Sequence, residues 1–240
     1  MRSQSALLEK IQVDYEVACE RHPFGELAID IYRVAQPEAL LDEAALAATH
    51  TTVPWAPYWA EAWDAAHAMA QQLVHRDLQQ IELLDLGCGL GITGTVAAAH
   101  GARVFFADYA PPALLFAELN CLPWRAACQF QCVDWRHDSL ERQFELIVGA
   151  DILYDRADIP HLDRFWRQHL APEGKVLLGD PNRPLTNELL EMLHSLGWQL
   201  KTTRYPRLAG GRDFRLVQAE LPASRRDDLP SPEESAKMHS

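Results

Sequence analysis

The chain has 240 residues, of which 48% are apolar, and a formal net charge of -12. That length suits one full-size α/β domain with a sizeable core, the acidic balance repels nucleic acid, and no apolar run is long enough to span a bilayer. The residues from Met1 to Asp14 lack the apolar core of a signal peptide, so a cytoplasmic location is expected.

Leu27, Ile29 and Ile31 alternate with Ala28, Asp30 and Tyr32, the period of a half-buried strand. Glu38 to Ala48 reads as a short helix, and Thr49 to Pro57 as a proline-punctuated linker. Trp59, Trp63, Ala66, Ala70, Leu73 and Val74 recur at helical spacing and predict a second helix with Trp59 in its core. Strands and helices then alternate. Strands are predicted at Ile81–Leu86, Arg103–Asp108, Cys128–Asp134, Phe144–Asp151 and Lys175–Gly179. Helices are predicted at Ile92–His100, Pro111–Cys121, Ile159–Leu170 and Leu185–Leu196. Trp198–Tyr205 and Phe214–Leu221 read as two strands of a hairpin joined through Ala209-Gly210-Gly211. This alternation implies an α/β, doubly wound, Rossmann-like sheet of seven mostly parallel strands with an antiparallel terminal strand. Residues 1–56 would form an N-terminal extension, residues 57–221 the main domain, and residues 222–240 a disordered tail.

Asp85-Leu86-Gly87-Cys88-Gly89-Leu90-Gly91 ends a predicted strand and opens a helix. In such a sheet, ligands sit at the carboxyl ends of the strands. Asp85, Asp108 and Asp134 close three consecutive strands there. Their places suit S-adenosylmethionine: Asp85 for the amino group of its methionine moiety, Asp108 for the ribose hydroxyls, Asp134 for the adenine amino group. Gly89, Gly91 and Gly94 also match G-x-G-x-x-G with Asp108 downstream, so the glycines alone leave a nicotinamide nucleotide open. The acid two positions before Gly87, the long region before the motif and the terminal hairpin favour the methyl donor.

Further segments carry a resemblance. Pro57-Tyr58-Trp59-Ala60-Glu61-Ala62-Trp63-Asp64-Ala65-Ala66, Asp134-Trp135, Asp151-Ile152-Leu153-Tyr154 and Gly179-Asp180-Pro181-Asn182-Arg183 accompany the glycine segment. Over residues 25–220 the chain resembles the seven-strand class I methyltransferases. Within that class it is similar to a group of protein lysine methyltransferases that includes the enzyme acting on the electron-transfer flavoprotein β subunit. Asn182 departs from that branch, where glycine is usual. The resemblance implies donor contacts by Trp63, Asp85, Gly87, Gly89, Gly91, Asp108, Tyr109, Asp134, Trp135 and Ala150. It implies catalytic roles for Asp151, which would hold a lysine ammonium, and Tyr154, which would orient the nitrogen or wall a lysine channel. Asp180 and Arg183 would form an ion pair at the entrance or contact substrate.

The five cysteines are odd in number and irregularly spaced, and read as reduced structural thiols. No His-x-x-x-His pair predicts a metal site. The expected partner is a protein presenting a lysine, or a small amine, met by a monomer without nucleic acid or membrane. Two readings stand beside the lysine methyltransferase: a methyltransferase of small amines or nitrogen heterocycles, and a non-catalytic module that binds S-adenosylmethionine.

Overall fold

A computed structural model describes residues 2–47, 57–205 and 213–222. The chain opens with α1 (Gln4–Ile11), the antiparallel pair β1 (Val17–Phe24) and β2 (Leu27–Val34), and α2 (Pro37–Ala47). A 3-10 turn at Pro57–Ala60 leads into α3 (Asp64–Leu73). The alternating part follows as β3 (Glu82–Leu86), α4 (Ile92–Ala99), β4 (Arg103–Asp108), α5 (Pro111–Asn120), β5 (Cys128–Cys132) and β6 (Phe144–Ala150). It closes with α6 (Ile159–His169), β7 (Leu170–Asp180), α7 (Pro184–Ser195), β8 (Gln199–Tyr205) and β9 (Phe214–Glu220).

β3 to β9 form one seven-stranded sheet in the order β5-β4-β3-β6-β7-β9-β8. Pairs from β5 through β7 are parallel, and β9 runs antiparallel to both β7 and β8. The hairpin of the last two strands is therefore present, but its final strand lies inside the sheet. β8 forms the edge, and its outward residues are correspondingly exposed or half-buried. The parallel strands carry the uninterrupted apolar runs that two covered faces demand, as in Phe144–Ala150, where all but Glu145 and the terminal Ala150 are buried.

One core packs β3, β6 and β7 against α6 and α7 around Phe165, Trp166 and Trp198. The opposite face packs under α3 and α4. A third cluster joins α1 and the β1–β2 pair to α5 through Leu7, Ile11, Ile31 and Phe116. Asn120 fastens this last contact: its Oδ1 accepts from Tyr32 N–H at 2.7 Å, and its Nδ2 donates to Leu90 O at 2.8 Å. The N-terminal hairpin is thereby tied to the glycine segment itself.

α1 and β1 were not legible in the pattern. Polar residues Glu20, Arg21 and His22 and a proline, Pro23, interrupt β1, which survives on pairing with β2 alone. The helix expected from Trp59 to Val74 is broken. Trp63 has φ -59° and ψ 135°, so α3 starts only at Asp64, and Trp59 and Trp63 precede it. β5 stops at Cys132, before Asp134. Of the linker expected from Thr49 to Pro57, Pro57 opens the 3-10 turn and the rest lies outside the described residues, as do the 209–211 connection and the tail from 223. Among the described residues no helix is long and apolar enough to cross a membrane.

Candidate active site

Strand order reverses between β3, which pairs with β4 on one side and β6 on the other. Such a switch point leaves a crevice at the carboxyl ends of the strands. A cavity of about 470 Å³ opens there. Asp85, Gly87, Gly89, Asp108, Tyr109, Trp135, Ala150, Asp151, Tyr154 and Trp63 all line it.

Two carboxylates form its floor. Asp85 is buried and accepts from Gly94 N–H at 2.8 Å through Oδ2. Its Oδ1 has no hydrogen-bond partner among the described residues. Burial, opposed by the Gly94 bond and aided by the Asp108 charge, raises its pKa from 3.8 to about 8. A Cβ on Gly94 would come within 2.8 Å of Asp85 Oδ2 and 2.4 Å of Phe106, so this approach requires glycine. Asp108 is also buried, and burial raises its pKa to about 6 against bonds from backbone N–H groups. Its Oδ2 accepts from Gly89 N–H at 2.8 Å and its Oδ1 from Ala110 N–H at 2.9 Å. Asp108 thus fixes the glycine loop as well as facing the cavity.

The walls are aromatic. Trp63 Nε1 donates to Tyr58 O at 2.7 Å, which holds the indole at the cavity's side. Trp135 Nε1 donates to the buried Asp158 at 3.1 Å, leaving the ring against Gly87. Tyr58 and Tyr154 stand 5.2 Å apart at the mouth, each 41% exposed. The Tyr154 hydroxyl pairs with Tyr109, and burial together with the Tyr109 and Asp108 charges pushes its pKa upward. Tyr154 therefore stays a neutral phenol at ordinary pH.

Asp151 follows β6 in a left-handed conformation, φ 54°, uncommon for a residue with a side chain. Its carboxylate is only 4% exposed and is gripped by Arg183, Nε to Oδ1 at 2.6 Å and Nη2 to Oδ2 at 2.8 Å. The Asp180–Arg183 side-chain ion pair, one of the two roles expected for these residues, does not form. Asp180 takes a buried fork from Arg215, Nη2 to Oδ2 at 2.6 Å, and accepts from Thr186 and from the Arg183 backbone N–H. The correct pairing needed Arg215, which lies on β9 and far along the chain.

Two expected donor residues lie off the cavity wall. Gly91 is the N-cap of α4 with φ 72°, and a Cβ there would sit 2.7 Å from Ala117 Cβ. Its glycine serves the packing of α4 on α5. Asp134 shapes a turn: its Oδ1 accepts from Arg136 N–H at 2.9 Å and its own N–H donates to Asp138. Conversely, Tyr58, Glu61, Thr93 and Ile152 line the cavity without having been singled out. Tyr58 and Glu61 belong to the tryptophan-bearing segment Pro57–Ala66 and Ile152 to Asp151–Tyr154. Thr93 carried no signal. All five cysteines are free thiols, and among the described residues no group of His, Cys, Asp or Glu could hold a metal ion.

The sheet order is that of the seven-strand class of S-adenosylmethionine-dependent methyltransferases. The N-methyltransferase NodS from Bradyrhizobium japonicum shares this fold with a TM-score of 0.56 at 20% identity, over 66% of this chain and 97% of that one. A family model described as lysine methyltransferase matches residues 58–194, and the chain belongs to that family. The electron transfer flavoprotein beta subunit lysine methyltransferase of Danio rerio is 32% identical over 53% of this chain and 51% of its own. The ubiquinone biosynthesis O-methyltransferase of Idiomarina loihiensis is 28% identical over 51% of this chain and 52% of its own. The chain spans about half the length of these curated relatives.

Proposed function

We propose that this protein transfers a methyl group from S-adenosylmethionine to the side-chain amine of a lysine on a protein substrate. The observation that carries the reading is the buried carboxylate of Asp151, set among the exposed aromatics Tyr58 and Tyr154 at the mouth of a cavity floored by Asp85 and Asp108. Membership of the lysine methyltransferase family supports it.

The residues present fit the donor. Asp85 is a buried acid whose second oxygen lacks a partner, and an ammonium such as that of the methionine moiety would supply one and restore its charge. Asp108 faces the cavity with acceptor capacity for ribose hydroxyls. Trp63 and Trp135 offer ring faces, which attract a cation such as a sulfonium. Bound there, the donor supplies an electrophilic methyl carbon on a positively charged sulfur.

The chain's own work is alignment and exclusion of water. A lysine arrives as ammonium, with a free pKa of about 10.4, and has no lone pair to attack with. Asp151 holds the cation, and the aromatic mouth strips its water, which lowers the amine's pKa. One proton of the ammonium leaves to solvent, and Tyr154, a neutral phenol, orients the freed lone pair. The N–C bond then forms as the C–S bond breaks, which leaves a methylated ammonium and S-adenosylhomocysteine.

The test incubates a cell extract with the protein and tritium-labelled donor. Label in discrete protein bands, lost on Asp151→Ala and mapped to lysine, is the expected result. Label only in small molecules would replace the protein acceptor with a small amine.

A further inference from the structure

The Asp151–Arg183 pair separates two spaces. On one side lies the donor cavity. On the other lies a chamber of about 440 Å³ that shares Trp63, Glu61, Asp151 and Arg183 with it. The chamber's remaining wall includes Pro181 and Phe214 on its apolar side and Asp64 and Asp213 on its acidic side. Arg183 is the one lysine or arginine on that wall among the described residues. Its guanidinium therefore satisfies the only buried carboxylate of the chamber, as an incoming alkylammonium would.

We propose that Arg183 occupies the acceptor's seat: a cationic side chain entering through the second chamber reaches the donor cavity by displacing the Arg183 guanidinium from Asp151. This rests on the methyltransferase reading above. Three features make the exchange feasible. The Arg183 backbone is pinned, because its N–H donates to Asp180 at 3.2 Å and its carbonyl accepts from Arg215 at 3.4 Å. Its side chain is 33% exposed, so the long stem can swing while the backbone stays. It also borders a third opening that contains Glu188, whose Oε1 pairs with Arg156 at 2.7 Å and whose second oxygen is there for the displaced guanidinium to meet.

The electrostatics favour a swap over a simple opening. Removing Arg183 with nothing in its place would leave a buried carboxylate uncompensated, which is strongly unfavourable. Replacing one cation by another keeps the pair neutral while the acceptor enters. The arrangement rejects neutral and anionic acceptors, which cannot compensate Asp151 while Arg183 is away. Arg183 acts here as a positioning residue that sets a threshold for entry.

The probe is sinefungin, which carries an amine where S-adenosylmethionine carries its methyl group, compared with S-adenosylhomocysteine, which carries neither. Calorimetry gives the affinity ratio of the two in the intact protein and in three variants. In Arg183→Gln the competing cation is gone, so sinefungin should gain about tenfold over S-adenosylhomocysteine, a change of about 1.4 kcal/mol. Arg183→Lys, which keeps a cation, should stay near the parent ratio. In Asp151→Asn combined with Arg183→Gln, a neutral pair, the gain should vanish. An unchanged or reduced ratio in Arg183→Gln overturns the exchange, as does an equal loss of both ligands, which would make Arg183 a wall of the donor pocket. If the parent protein binds neither ligand, the donor reading itself fails.

Discussion

Asp85→Asn separates what the site costs the fold from what it does for binding. The native carboxyl has its pKa raised from 3.8 to about 8 by burial. A shift of that size corresponds to on the order of 5 kcal/mol of destabilisation once the group is ionised in both states, at about 1.4 kcal/mol per unit. The sign follows from proton counts. Between pH 4 and pH 8 the unfolded chain has released the proton and the folded one has kept it, so stability falls as pH rises through that window. An asparagine can keep the bond from Gly94 N–H through its own carbonyl oxygen and carries no charge to bury. The ligand-free variant should therefore be more stable than the parent at pH 8 by several kcal/mol and nearly equal to it at pH 4. The same change should weaken S-adenosylmethionine at least tenfold, since a charge-assisted hydrogen bond contributes about 1.5–3 kcal/mol. Urea unfolding at the two pH values and calorimetry with the donor make the measurement. Equal stability of variant and parent at pH 8, or loss of stability with donor binding intact, would refute the assignment of Asp85 as a buried acid awaiting a cation.

Donor binding to the parent protein near pH 7 should release about one proton, because an ammonium beside Asp85 returns it to the ionised form; calorimetry in buffers of different ionisation enthalpy reads this, and proton uptake would contradict it. Asp151→Ala should abolish methyl transfer while changing the donor Kd less than twofold; equal loss of both would make Asp151 a donor contact. Asp180→Ala leaves the buried Arg215 without its carboxylate and should cost about 3–5 kcal/mol in denaturant unfolding, against an expectation of under 1 kcal/mol if the pair were solvated. Gly91→Ala should lower stability, since a Cβ there meets Ala117 at 2.7 Å in a left-handed backbone, and an unchanged melting temperature would show that α4 and α5 can part.

Much of this was readable from the order of the residues. β4 spans Arg103–Asp108 as its apolar run dictates, because both faces of a central parallel strand are buried and leave an unbroken pattern. Asp85 and Asp108 were placeable since strand ends in such a sheet all point at one crevice. Gly91 and Asp134, expected as donor contacts, lie off the cavity wall for different reasons. Gly91 is glycine for a contact with α5 that no local pattern shows, and Asp134 lies two residues beyond the real end of β5, in a turn of its own. The partners of Asp151 and Asp180 were illegible because Arg183 and Arg215 come from separate elements. Trp63 was placed on a helix by spacing alone, whereas its extended backbone and its bond to Tyr58 O turn it to the cavity.

The cavity between β3 and β6 should take a methyl donor and not a dinucleotide, although its glycines match both. Titrating the protein in parallel with S-adenosylmethionine and with a nicotinamide adenine dinucleotide separates the two. Saturable one-site binding of S-adenosylmethionine, lost in Asp85→Asn, with no heat from the dinucleotide, is the expected outcome. Heat from the dinucleotide alone would contradict it.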